Sequence, residues 1–203
     1  MIIELDAKTD VGRIRAGNED NFLVLDVSSA EAWVGSDGAL PPRNLNRFDL
    51  GPKGLVLLVS DGMGGALAGD VASRMAVETV RDKLIEGEAS STNGNNNSGL
   101  PLINILSNAV DEANHLIHQR SLEDARCSGM GAKLTGAAVT PEGLGLVQVG
   151  DSRGYVIRGG EIKLVTKDQS LVQQLIDVGQ ITELEAETHM FRNVILQLSL
   201  IHI

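Results

Sequence analysis

The sequence is nearly free of aromatic side chains, with one Trp, one Tyr and three Phe among 203 residues. Its core must therefore be mostly aliphatic. It has a single cysteine, Cys127, which excludes an intrachain disulfide and reads as a buried thiol. No Cys/His cluster has the spacing of a zinc site. Positive charge is scarce: 17 Lys and Arg stand against 27 Asp and Glu, a net charge of −10. That argues against nucleic acid and anionic membrane as main partners and suits a cation site. No apolar run approaches the ~20 residues of a membrane span, and the opening MIIELDAKTD is not a signal peptide. A cytoplasmic protein is the expectation. At 203 residues, the chain is long enough for one sizeable core in one domain.

The chain is organised around residues 55–73, LVLLVSDGMGGALAGDVAS. The apolar run from Leu55 to Val59 predicts a buried strand. Asp61 then stands where that strand is expected to leave the core. Gly62, Gly64 and Gly65 follow, so the backbone there can bend and admit a ligand closely. Apolar residues at Leu67, Val71, Met75, Val80 and Leu84 predict a helix over residues 66–85. A carboxylate at a strand end, on a glycine turn before a helix, reads either as a solvated turn or as a metal or phosphate site.

Elsewhere, Ile2, Ile3 and Leu5 predict a first strand and residues 22–27, FLVLDV, a second. Between these two strands lies a polar loop, residues 9–20. Residues 28–52 carry Gly, Pro, Asn and Asp throughout and read as an irregular excursion. Residues 87–99, GEASSTNGNNNSG, read as a mobile surface loop. Pro101 suits the first turn of a second helix, whose stripe from Leu102 to Ile117 runs to about Arg120. Strands are expected over 133–140, 145–149, 154–157 and 162–165, the last two joined by a tight hairpin at Gly159-Gly160. Ser170 with Gln173, and Thr182 with Glu185, read as capping boxes of two short helices, the first ended by Gly179. Strands and helices are segregated, which points to an α+β fold with antiparallel sheets.

Three acidic loops flank strands: residues 10–20, Asp61-Gly62, and Gly150-Asp151-Ser152-Arg153. Oxygen-rich sites without Cys or His suit hard cations such as Mg²⁺ or Mn²⁺. Two such ions can clamp an in-line displacement at phosphorus. Arg15 is the candidate for holding two phosphate oxygens. Gly62 to Gly69 could also be read as a nucleotide loop, but it lacks the GxxxxGK[ST] pattern.

Four blocks match a family in order: TDVGRIRAGNED (9–20), VSDGMGGALAGDVAS (59–73), VGDSRGYVIRGGEIKLVTKDQSLVQQLIDVGQIT (149–182) and HMFRNVI (189–195). Through them the chain resembles the PPM-type metal-dependent serine/threonine protein phosphatases in their bacterial form. The resemblance implies an αββα sandwich, two antiparallel β-sheets flanked by helices. It implies that Asp61 bridges two Mn²⁺ or Mg²⁺ ions, that the Gly62 carbonyl binds one of them, and that Asp20 holds the second, with Glu19 beside it. Arg15 would grip the substrate phosphate and Asp151 would serve a third, weaker metal site. The implied reaction is hydrolysis of phosphoserine and phosphothreonine in proteins by metal-activated water, without a phosphoenzyme. The implied partners are phosphorylated proteins of a cognate serine/threonine kinase, met by a monomeric signalling enzyme. A degenerate, non-catalytic module that binds a phosphoprotein is the alternative.

Arg153 and Asp168 read as structural, and His115, His118 and His189 as surface or helix histidines; His202 lies in the tail. The chain departs from the family pattern at three places. Gly131-Ala132-Lys133 stands where Gly-Thr-Thr is usual, which should alter local hydrogen bonding. Gln169 replaces a common histidine and removes a candidate proton donor. After Ile195 the family continues into a second Asp-Gly motif and a late Asp-Asn motif that supply further metal ligands. The expected division is a PPM-type domain over residues 1–197, incomplete at its C-terminal end, and a non-family tail over 198–203. A truncated or misread reading frame is expected there, and with it little or no activity in the chain as given.

Overall fold

The computed structural model describes residues 1–15, 17–35, 42–64, 68–91, 101–192 and 194–196. In chain order its elements are β1 Ile2–Glu4, β2 Asp20–Asp26, β3 Glu31–Gly35, α1 Arg43–Asn46, β4 Arg47–Asp49, β5 Leu55–Met63, α2 Ala68–Ser91 and α3 Leu102–Glu123. A 3-10 turn at Ala125–Cys127 leads to β6 Gly131–Thr140, β7 Gly143–Val149, β8 Tyr155–Arg158, β9 Glu161–Leu164, α4 Leu171–Asp177 and α5 Glu183–Thr188. A five-stranded antiparallel sheet in the order β3-β2-β5-β6-β7 forms the frame. Two smaller antiparallel pairs, β1 with β4 and β8 with β9, complete the strands. The architecture is α+β, antiparallel sheets flanked by helices.

Side chains alternate across the central strands, as a period of two requires. Leu23 and Leu25 of β2, with Val56 and Leu58 of β5, join the large core beneath the helices. There they meet Ala72, Ala76, Val77, Val80 and Leu84 of α2 and Leu106, Ala109, Val110, Ala113 and Ile117 of α3. Phe22 and Val24, with Leu55, belong to a second, smaller core on the opposite face, where Trp33 and Leu45 join them. Phe22 and Trp33 meet edge to face at 4.9 Å between centroids. Both faces of β2 and β5 are thus covered along most of their length, which is why these strands read as unbroken apolar runs.

The second face is less complete. An apolar cleft of about 380 Å³ opens beside Val59, Ala137, Leu146 and Tyr155. Val59 and Leu144 remain half exposed there, and Ile157 and Ile162 of the β8–β9 hairpin largely exposed.

Several expectations are corrected. The excursion over 28–52 contains β3, α1 and β4, because Glu31–Gly35 pairs with β2 and Arg47–Asp49 with β1. Strand β5 does not stop at Val59: its ladder with β6 continues through Asp61, Gly62 and Met63. Helix α2 runs on to Ser91, so the expected loop begins later, and residues 92–99 lie outside the described ones. Its expected start at Ala66 and Leu67 also lies outside them. Ser170 caps α4 through the Gln173 N–H, but the Gln173 side chain donates to Asp177, so no capping box closes. Thr182 and Glu185 do form one. Gly179, at φ +72, follows α4 as expected. Cys127 is buried. The expected tail, 198–203, is outside the described residues.

Candidate active site

Strand register builds the centre of the site. Asp20 of β2 stands directly opposite Asp61 of β5, and Asp61 directly opposite Lys133 of β6. The three residues form one row across three neighbouring strands. By alternation they share the face of Phe22, Leu57 and Ala137, the face opposite the helices. Directly opposed like charges on a sheet repel, so the row needs positive charge.

Close backbone packing holds Asp61 in place. Gly62 points to the helix side, where an added Cβ would collide with the Gly69 carbonyl at the start of α2. A Cβ on Gly69 would in turn press on the Glu19 carboxylate. The Gly62 N–H donates to the Glu19 carbonyl at 3.0 Å. Glycine at 62 and 69 therefore lets helix, strand and the Glu19 segment close around one point. Beneath them, Asn21 donates to Ser73 Oγ at 2.9 Å and Ser60 Oγ to the Lys133 carbonyl at 2.9 Å, so these buried polar groups are satisfied.

A pocket of about 470 Å³ lies at this end of the sheet, lined by Arg15, Glu19, Asp61, Gly62, Lys133 and Asp151 among others. Asp20 flanks it through Asp61. All six residues expected to carry the chemistry thus share one neighbourhood. Glu19 is buried, and its Oε2 lies 3.5 Å from the guanidinium of Arg15, which is 68% exposed. Among the described residues Arg15 is ion-paired only with Glu19, which leaves donors for a ligand.

Lys133 is the residue that the sequence reading did not place. Its Nζ lies 2.9 Å from Asp61 Oδ2 and 2.9 Å from Asp151 Oδ1. Burial pulls its pKa down, but the hydrogen bonds to Asp151 and Asp61 outweigh that and leave it raised. The departure from Gly-Thr-Thr at Lys133 was the available signal. Its consequence became visible only with the β5–β6 register.

Asp20 shows the opposite imbalance. Its pKa is raised, first by lost hydration at the carboxyl end and then by the charge of Asp61, with Arg15 and Lys133 offsetting part of this. Two carboxylates crowded in this way are a donor set that fits a hard cation. The fit does not extend across the site. Among the described residues, no three His, Cys, Asp or Glu side chains converge closely enough to hold a metal ion. The Asp61–Asp151 side is taken by the ammonium.

The Asp151 loop is clamped from behind. Gln169 accepts from the Gly150 N–H at 2.7 Å, donates its own N–H to the Gly150 carbonyl at 3.0 Å, and its carbonyl accepts from Leu196. Gln169 therefore does the work of a loop brace. Thr135 Oγ1 and Gln148 bond the Ser152 carbonyl. Arg153 forks onto Asp168 at 2.9 and 2.7 Å, a structural role as expected for Arg153, while Asp168 serves as its ion-pair partner where a loop or capping role was expected. That fork raises the Arg153 pKa further. His115 and His118 are exposed on α3, and His189 accepts from the Phe191 N–H; His202 is outside the described residues.

Residues 46–192 match the Protein phosphatase 2C family. The chain belongs to that family, as a relative of the bacterial PPM-type serine/threonine phosphatases. It is 32% identical over 97% of its length to the serine/threonine protein phosphatase PstP of Mycobacterium tuberculosis, covering 31% of that protein. To the serine/threonine phosphatase Stp of Listeria innocua it is 32% identical over 94% of its length, covering 64% of that protein. The chain thus spans about a third to two thirds of the curated relatives it matches. The crystal structure of PstP aligns with a TM-score of 0.65 over 95% of this chain and 66% of its own, at 32% identity. The PstP catalytic domain has also been solved in complex with two manganese ions, and aligns with a TM-score of 0.58 at 33% identity, over 88% of this chain and 61% of its own.

Proposed function

We propose that the protein is a Mn²⁺- or Mg²⁺-dependent phosphatase of phosphoserine and phosphothreonine in other proteins. The observation that carries this reading is the convergence of Arg15, Glu19, Asp20, Asp61 and Asp151 at one end of one sheet. Asp20, Asp61 and the Gly62 carbonyl are the groups that would hold the cations, with Glu19 beside them and Asp151 as the ligand of a further ion. When bound, divalent cations supply Lewis-acid activation of water and neutralise phosphate charge. Arg15, exposed at the mouth of the pocket, takes two phosphate oxygens with its planar fork and orients the phosphorus. Asp61, opposite Asp20 and sharing Lys133 with Asp151, is the residue on which the others depend.

In this reading the phosphatase domain extends over residues 1–197. Substrates are phosphoproteins of a cognate serine/threonine kinase, met by a monomer in the cytoplasm with no nucleic acid or membrane involved. Among the described residues no helix is long and apolar enough to cross a membrane. The test is phosphate release from a phosphothreonine peptide with Mn²⁺, its loss on chelation, and its loss in Asp61→Asn.

A second reading, a non-catalytic module that recognises a phosphoprotein, is favoured by one specific observation: an ammonium occupies the space between Asp61 and Asp151. Binding of a phosphothreonine peptide in chelator, with no turnover at any Mn²⁺ concentration, would favour it over catalysis.

A further inference from the structure

We propose that Lys133 is a resident counter-cation that competes with divalent metal for Asp61 and Asp151. The inference rests on reading those two carboxylates as cation ligands. Three observations carry it. Register sets Lys133 directly opposite Asp61 on the same face of the sheet. Its ammonium lies 2.9 Å from an oxygen of each carboxylate, so it draws them toward one centre as an ion would. It is also only 17% exposed, on a strand paired with β5 at Lys133 itself and with β7 from Leu134 onward.

An ammonium and a divalent cation cannot share these oxygens at full strength. The cation needs the same lone pairs, and the two positive charges repel at this separation. Loading the Asp61–Asp151 side therefore requires Lys133 to withdraw, which its flexible four-carbon stem permits into the adjoining pocket of about 470 Å³. Among the described residues, no ammonium sits between Asp20 and Asp61. A first cation is expected there, and the one that needs Asp151 is the one Lys133 suppresses. Lys133 thus offsets part of the charge of Asp61 and Asp151, and the cation site that needs Asp151 fills only when divalent metal is abundant.

The test is Mn²⁺ binding to the whole 203-residue chain. The free-ion electron paramagnetic resonance signal would be followed during titration of the wild type, Lys133→Met and Lys133→Arg, each checked by circular dichroism for its fold. Removing the charge should tighten the weaker Mn²⁺ site by about tenfold or more, while Lys133→Arg stays near the wild type. Equal affinity in wild type and Lys133→Met overturns the inference, and so does an equal gain in Lys133→Arg. Absence of Mn²⁺ binding in every variant overturns it too.

A measurement on the wild type covers the case in which Lys133→Met does not fold. The ¹⁵N resonance of the Lys133 ammonium, assigned by its loss in Lys133→Arg or Lys133→Thr, should move as Mg²⁺ is titrated in. A resonance that stays fixed at saturating Mg²⁺ overturns the inference. Phosphopeptide hydrolysis is read separately. No turnover alongside the expected change in affinity contradicts the phosphatase reading and leaves this inference standing.

Discussion

Asp61 has an acidic neighbour on each side, and the two pairs are balanced differently. Toward Asp151 the gap is bridged by Lys133, bonded to both carboxylates at 2.9 Å. Toward Asp20, among the described residues, no ammonium forms an ion pair. The two carboxylates are held opposite each other by strand pairing, and Asp20 takes up protons more readily than an ordinary aspartate, through lost hydration first and Asp61 second. One pair carries its own counter-charge. The other is offset only in part, by the more distant charges of Arg15 and Lys133. The comparison teaches that backbone register can hold like charges together at one end of a sheet, at a local cost offset by packing elsewhere.

The largest effect should come from the residue common to both pairs. Asp61→Asn removes the shared charge, and phosphopeptide turnover should fall by at least about a hundredfold while circular dichroism stays native. Gly62→Ala attacks the position of Asp61 and leaves its chemistry alone. The new Cβ meets the Gly69 backbone, which cannot swing away as a side chain could. A loss of about 1–3 kcal/mol in urea unfolding is expected, with weaker Mn²⁺ binding.

Lys133→Met should split the pairs by conditions. In chelator it leaves Asp61 and Asp151 unbridged and costs about 1 kcal/mol, modest because the group is partly exposed. Excess Mn²⁺ should restore its melting temperature to the wild-type value or above. A melting temperature insensitive to Mn²⁺ would erase the contrast between the pairs.

The smallest effect belongs to Asp20. Its raised pKa means that the native state holds a proton more tightly than the unfolded chain does. That contribution to stability is fully present below the ordinary value of 3.8 and is lost as pH rises through the raised native value. In chelator at neutral pH, Asp20→Asn should therefore melt slightly above the wild type. The slope of stability against pH above 3.8 should also flatten. Asp20 is exposed, so solvent screening keeps both changes small.

Much of this arrangement was legible in the residues, for physical reasons. The runs at Leu55–Val59 and Phe22–Val27 are apolar on consecutive positions because both faces of β2 and β5 are covered. The α3 stripe stood out because one helix face packs against α2 and the sheet. The acids and Arg15 were found through motif and resemblance.

What escaped depends on non-local pairing. Short strands such as Glu31–Gly35 and Arg47–Asp49 have little pattern of their own and exist through their partners. Asp61 was expected on a turn, because Gly62 reads as a strand-breaker until α2 presses against it. Lys133 lies 72 residues from Asp61, and only register reveals them as neighbours.

The phosphatase reading is tested most directly by phosphate release from a phosphothreonine peptide, with purified full-length protein titrated with Mn²⁺ and then with chelator. Turnover should rise with Mn²⁺, disappear on chelation and be absent in Asp61→Asn at every Mn²⁺ concentration. Turnover that survives chelation, or that Asp61→Asn retains, would contradict the reading of this end of the sheet as a cation-dependent phosphatase site.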